Sequence, residues 1–208
     1  PGTTVLSLAT AGCNLRCNFC QNWQISQSTP EETINFPINP DQVVQSALAQ
    51  ESPSIAFTYT EPTIFFEYSL DIAKLAKEKG LKVICHSNGF INPQPLKEWC
   101  KYLDAANIDL KGWTDKYYNE MCSGWIEPVK NTLKILKKEG VHLEITTLVV
   151  TNKNDDNGYF HQDVPEHYRY RHILARRQKP PGEGFPGYEQ VVKADILIYN
   201  KGKSGQNA

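Results

Sequence analysis

The apolar positions of this chain follow two alternating rhythms. Dense short runs fall at 3–10 (Val5, Leu6, Leu8, Ala9), 54–59, 82–87, 106–110 and 142–150, each of strand length and bounded by polar turns. Between them lie 41–50, 63–79, 95–102 and 127–139, which read as helices. Phe65, Tyr68, Ile72 and Leu75 recur at helical spacing in the second, and Val129, Leu133 and Leu136 share a face in the fourth. Gly80 and Gly140 stand where those two helices must end, and Asp41 marks the start of the first.

Strand, loop and helix thus repeat about five times. Such alternation predicts an α/β fold with parallel strands and outer helices. Right-handed crossovers curl that pattern into a barrel or partial barrel, with chemistry at the C-terminal ends of the strands. The polar clusters fall at those ends. A cysteine loop follows the first strand, Tyr59-Thr60-Glu61-Pro62 the second, and His86-Ser87-Asn88-Gly89 the third. Asp109-Leu110-Lys111 closes the fourth, and Thr151-Asn152 follows the fifth. This coincidence points to an enzyme.

The rhythm breaks after residue 156. Three of the five histidines and several arginines lie beyond it, with breakers at Pro180, Pro181, Gly182, Gly184, Pro186 and Gly187. Only 194–199 reads as a strand there. We expect a core at 1–156 and a divergent or poorly ordered tail at 157–208, lying over the open edge left by the fifth strand and adding little to cofactor binding. The tail's basic residues read as a solvated face and its histidines as incidental. At the other end, Pro1 stands on the edge of a strand-like run, as in a fragment whose upstream part is missing; a removed leader would look the same.

With 208 residues, 40% hydrophobic, the chain can bury one sizeable core. Its net charge of −1 gives no reason to expect nucleic acid or an anionic membrane as partner, and no apolar run reaches the roughly 18 residues of a membrane span.

The chemistry concentrates in Gly12-Cys13-Asn14-Leu15-Arg16-Cys17-Asn18-Phe19-Cys20. Cys13, Cys17 and Cys20 are spaced C-x3-C-x2-C, with an aromatic before the last. A loop can fold these thiols around one centre, and thiolates bind iron–sulfur clusters or zinc. Both normally take four ligands. Either a distant residue completes the set or one metal position stays open. A zinc knot usually brings a second cysteine pair, and Cys85, Cys100 and Cys122 form none. Cys85 on a strand and Cys100 on a helix read as buried thiols, and Cys122 as a loop residue.

This stretch resembles the signature of the radical S-adenosylmethionine (SAM) enzymes. The run "LSLATAGCNLRCNFCQNWQISQ" is similar to the radical SAM member of the AmmeMemoRadiSam system and, beyond it, to the pyruvate formate-lyase activating enzymes. The resemblance covers residues 1 to about 156. It implies an open (β/α)6 TIM-like barrel. It also implies a [4Fe–4S] cluster on Cys13, Cys17 and Cys20, with SAM chelating the fourth iron. Reductive cleavage of SAM then gives a 5′-deoxyadenosyl radical that abstracts hydrogen.

By the same resemblance Phe19 packs near the adenine, and Glu61 stands where the family's Gly-Gly-Glu-Pro motif receives the SAM ammonium. Tyr59 and Thr60 replace the two glycines, and Glu61-Pro62 also reads as a plain helix start. Ser87 and Asn88 match polar residues near the SAM ribose, with Gly89 supplying a positive φ. Asp109 and Lys111 match an Asp-Leu-Lys motif; alternation puts both on one face, to hold SAM or substrate or to close the barrel as an ion pair.

The implied partners are an external electron donor of the flavodoxin or ferredoxin type and a protein substrate bearing an activatable glycine. A small-molecule or other macromolecular substrate, or a non-catalytic cluster or zinc module, remain the alternatives. A thiolate cluster fits the reducing cytoplasm.

Overall fold

A computed structural model describes residues 3–150, 152–154, 169–174 and 197–198. Among the described residues, seven strands form one sheet: β1 (Leu6–Ala9), β2 (Ser54–Phe57), β3 (Lys82–Ser87), β4 (Ala105–Asp109), β5 (His142–Val149), β6 (Arg169–Leu174) and β7 (Leu197–Ile198). Every pairing is parallel, in the order β6-β5-β4-β3-β2-β1-β7. The first five therefore lie side by side in chain order. The helices are α1 (Trp23–Ser26), α2 (Pro40–Ala49), α3 (Phe66–Glu78), α4 (Pro93–Cys100), α5 (Asp115–Cys122) and α6 (Glu127–Lys138). The expected α/β partial barrel is the observed fold.

Period-two alternation sorts the side chains of the strands. Ile55 and Phe57 on β2, Val83 and Cys85 on β3, and Ala106 and Ile108 on β4 are all at most 2% exposed. Phe57 and Phe66 both pack on Trp99 at ring distances of 6.0 Å, which ties α3 and α4 to the sheet. The alternate positions face the barrel interior and are free to carry chemistry.

Several boundaries move for local reasons. Pro62–Phe65 forms a 3-10 turn ahead of α3, so 63–79 is not one continuous helix. Pro93 takes the first turn of α4, two residues earlier than expected, and Asn39 caps α2 with Gln42 returning a bond to its backbone. The apolar rhythm missed α5. Its start is set by Thr114, whose hydroxyl accepts from the Tyr117 N–H at 3.1 Å, and its end by Ser123 at φ 56°. Cys122 is accordingly the last residue of a helix, fully buried, and not a loop residue.

Beyond residue 156 the expected divergent tail falls outside the described residues except for two strands. β7 lies within the 194–199 run and pairs with β1. The strand beside β5 is β6, which the sequence pattern did not mark; it pairs over six residues from Glu144↔Arg169 to Val149↔Leu174. The sequence Arg169-Tyr170-Arg171-His172 breaks the apolar run that identified the other strands. Thr151, expected after β5, is also outside the described residues. Among those described, no helix is long and apolar enough to cross a membrane.

Candidate active site

A cavity of about 450 Å³ opens at the C-terminal ends of the strands. Cys13, Cys17, Phe19, Cys20, Glu61, Ser87, Asn88, Asp109 and Lys111 all line it, so every expected site residue comes to one place. Sequence reasoning gave no role to Thr60, His86, Ser26 or Gln27, which share the wall.

The cysteine loop is strapped to the end of α5. Arg16 N–H donates to the Cys122 carbonyl and Asn18 N–H to the Met121 carbonyl, both at 2.9 Å, and the Asn18 amide reaches the Glu120 carbonyl at 3.2 Å. These donors meet helix-end carbonyls that have no partner within the helix. The three sulfurs already have polar neighbours. Cys13 Sγ accepts from Leu15 N–H at 3.4 Å and from Asn88 Nδ2 at 3.6 Å, and Cys20 Sγ lies 3.1 Å from Ser26 Oγ. Cys17 lies beside the Cys122 thiol, which lowers Cys17, and the same neighbour together with burial pushes Cys122 up. Burial raises the Cys13 thiol to about 11.

Glu61 is 1% exposed and receives four protein donors. Thr63 N–H (3.0 Å), Thr63 Oγ1 (2.6 Å) and Ser87 Oγ (2.8 Å) reach Oε1, while Asn88 N–H reaches Oε2 at 2.7 Å. The helix-start role and the site role therefore coexist in one carboxylate. It fixes Ser87 and Asn88, and Asn88 in turn donates to Asn14 Oδ1 at 2.7 Å across the cysteine loop. Gly89 has φ +71°, and a Cβ there would meet Ile108 at 2.9 Å, so the turn after β3 needs glycine. Tyr59 adopts φ 68° without being glycine, and its carbonyl accepts from Asn22 Nδ2 at 2.7 Å. Tyr59 thus takes the left-handed conformation that glycine favours, at a position where the resembling motif carries glycine.

Asp109 is held between the Lys111 ammonium and the His86 imidazole. Lys111 Nζ lies 2.9 Å from Oδ2 and His86 Nε2 2.9 Å from Oδ1. Burial alone would raise the Asp109 carboxyl, but the Lys111 charge and the His86 contact hold it well below the usual carboxylate range. Burial would likewise lower Lys111, yet Asp109 outweighs it and the ammonium is raised. For His86, burial lowers and Asp109 raises, with a net upward shift. The backbone of Lys111 is clamped from both sides: its N–H donates to Tyr118 Oη at 3.1 Å and its carbonyl accepts from Asn154 Nδ2 at 3.0 Å. Cys85 and Cys100 take no part; both are core thiols.

The sequence model of the radical SAM superfamily matches residues 7–160. The chain belongs to that superfamily. An uncharacterized protein of Methanocaldococcus jannaschii is 43% identical over 156 residues, covering 75% of this chain and 46% of that protein. The pyruvate formate-lyase-activating enzyme of Clostridium pasteurianum is 24% identical over 150 residues, covering 69% of this chain and 61% of that enzyme. The radical SAM chain spans about half the length of the first curated relatives it matches. Among solved structures, Streptococcus suis SuiB bound to S-adenosylmethionine superposes with a TM-score of 0.55 at 15% identity, over 71% of this chain and 35% of that one. At that identity the likeness is one of fold.

Radical SAM proteins use a [4Fe–4S] cluster and SAM. The residues present fit both. Three thiols border one cavity beside a buried Thr60 hydroxyl that has no partner among the described residues, and beside the Lys111 ammonium. Among the described residues, no three His, Cys, Asp or Glu side chains converge as the ligands of a single ion would. A cubane asks for a wider arrangement, because each thiolate takes its own iron.

Proposed function

We propose that this radical SAM chain cleaves SAM reductively and that the resulting radical abstracts a hydrogen atom, with a glycyl position on a partner protein as its target. The observation that supports this reading is the meeting of the cysteine loop, the Glu61 network and the Asp109–Lys111 pair on one cavity. When bound, the cluster would supply one electron, taken from an external flavodoxin- or ferredoxin-type donor, for reductive cleavage of a carbon–sulfur bond of SAM to methionine and a 5′-deoxyadenosyl radical.

The chain's own residues bind and orient. Cys13, Cys17 and Cys20 would hold the cluster, three ligands where a cubane takes four, with SAM as the fourth. Lys111 offers a charge-assisted donor to an anionic group, fixed in place by Asp109 and by its clamped backbone. Glu61 still has acceptor capacity at Oε2 for the SAM ammonium, while Ser87 and Asn88 are held at the same wall. Phe19, 8% exposed and 6.2 Å from the Tyr117 ring, gives an apolar surface for the adenine. A thiolate-held cluster supports a reducing compartment, such as the cytoplasm, as its setting.

The test uses anaerobically reconstituted protein, SAM, dithionite and a partner bearing a deuterated glycine loop. Deuterium in the 5′-deoxyadenosine and a glycyl radical signal support the reading. Unlabelled 5′-deoxyadenosine with no glycyl signal overturns the glycyl target and leaves the SAM cleavage standing.

A further inference from the structure

The three sulfurs differ in what surrounds them. Cys13 meets amide N–H groups, as noted above, but Cys17 and Cys20 face a second thiol and a hydroxyl. Both of these are out of water: Cys122 is fully buried and Ser26 is 4% exposed. They come from different elements, Ser26 from the last position of α1 and Cys122 from the last position of α5. The cysteine loop is sewn to α5 through backbone bonds on either side of Cys17, so the meeting of Cys17 with Cys122 is built into the fold.

The direction of these bonds follows from metal chemistry. A ligating cysteine is deprotonated, so its sulfur can only accept. Ser26 O–H must then donate to Cys20, and the buried Cys122 S–H, held beside Cys17 by the backbone bonds of the loop, is placed to do the same. Ser26 is prepared for this, because its oxygen accepts from Gln27 Nε2 at 3.3 Å and leaves the hydroxyl proton free. Gln27 Oε1 in turn accepts from Arg16 Nη1 at 3.1 Å. The chain Arg16–Gln27–Ser26–Cys20 points its donors toward the sulfur and starts at a fixed positive charge. Each bond in such a chain polarises the next.

We propose that Ser26 and Cys122 are positioning residues that raise the reduction potential of the [4Fe–4S] cluster by hydrogen-bonding the sulfurs of Cys20 and Cys17. This rests on the reading that Cys13, Cys17 and Cys20 hold that cluster. Hydrogen bonds to ligating sulfurs are among the factors that set cluster potentials. They stabilise the reduced, more negative form more than the oxidised one, so a donor moves the potential upward. For a cluster that must be reduced by an external carrier, two side-chain donors make that step less demanding.

The experiment is an EPR-monitored redox titration of reconstituted wild-type, Ser26→Ala, Cys122→Ala and Cys122→Ser proteins, with iron and sulfide counted on each. The expected result is wild-type cluster content in all four. Ser26→Ala and Cys122→Ala should each show a more negative midpoint. Cys122→Ser, which keeps a donor, should lie nearer wild type. Gln27→Leu should shift the midpoint in the same direction as Ser26→Ala but less, and it keeps the test open if Cys122→Ala fails to fold. Midpoints of Ser26→Ala and Gln27→Leu equal to wild type at full iron content overturn the inference. A wild-type protein that takes up no [4Fe–4S] cluster overturns the reading beneath it, and this inference with it.

Discussion

The backbone N–H of Asn88 donates to Oε2 of Glu61 at 2.7 Å, and this bond couples the ends of β2 and β3 across the cavity wall. The same carboxylate takes three more donors on Oε1, so Glu61 organises the site as well as facing it. Glu61→Gln turns one acceptor oxygen into an NH2 group, and a buried donor then meets a donor. Stability should fall by about 1–3 kcal/mol, read by chemical denaturation. SAM affinity, measured by calorimetry on the reconstituted protein, should fall on the order of tenfold or more. Unchanged stability would contradict the network.

Tyr59 holds φ 68°, a conformation that costs an L side chain roughly 1–2 kcal/mol. Tyr59→Gly should therefore be neutral or stabilising by up to about 1 kcal/mol, with the Asn22 bond kept. Tyr59→Val, β-branched, should be destabilising. Thermal denaturation separates the two, and equal losses in both variants would show that the Tyr59 side chain and not its backbone matters.

Lys111→Met leaves Asp109 without its main counter-charge. The loss should be about 1–3 kcal/mol, less than for a dry ion pair because the Asp109 side chain keeps 29% of its exposure. The sign in pH follows from the two shifts. Asp109 is lowered, so its contribution is present above the ordinary 3.8 and lost as pH falls through its lowered value. Lys111 is raised, so its contribution is present below the ordinary 10.5 and lost as pH rises through its raised value. The difference between wild type and Lys111→Met should be largest where His86 is neutral, shrink as His86 charges, because the Lys111 charge lowers His86, and shrink again at the acid end. Denaturation curves across that course of pH check it.

His86 is shifted upward from 6.5, with Asp109 outweighing burial. Its charged form therefore stabilises the fold fully below 6.5, and this contribution is lost as pH rises through the raised value. Wild type should exceed His86→Gln in stability at pH 6 by more than at pH 9. A difference that does not change over that interval would show that His86 is not charged against Asp109.

Much of this was legible in the sequence because one-dimensional spacing reported it directly. The C-x3-C-x2-C run, the β–α alternation and the i, i+2 relation of Asp109 and Lys111 are all local patterns. What stayed hidden depends on approach in space. Ser26 meets Cys20 only because α1 turns back over the loop, and Cys122 meets Cys17 across more than a hundred residues. His86 sits beside Asp109 because β3 and β4 pair with His86 opposite Asn107, a register that spacing along one strand does not reveal. α5 had a readable start in Thr114-Asp115 and a stop in Ser123-Gly124, but its buried face is carried by two adjacent tyrosines and a cysteine, which blur the helical period. β6 carries too many charged residues to stand out as a strand.

The central claim is that the loop of Cys13, Cys17 and Cys20 carries a cluster that acts on SAM. The most direct measurement is an iron, sulfide and zinc count on anaerobically reconstituted protein, together with 5′-deoxyadenosine formed on adding SAM and reductant. The account predicts about four irons and about four sulfides per chain, with 5′-deoxyadenosine formed. Replacing any one of the three cysteines by Ala should abolish that product, and Cys100→Ala should retain it. Stoichiometric zinc with no labile sulfide and no 5′-deoxyadenosine would contradict it.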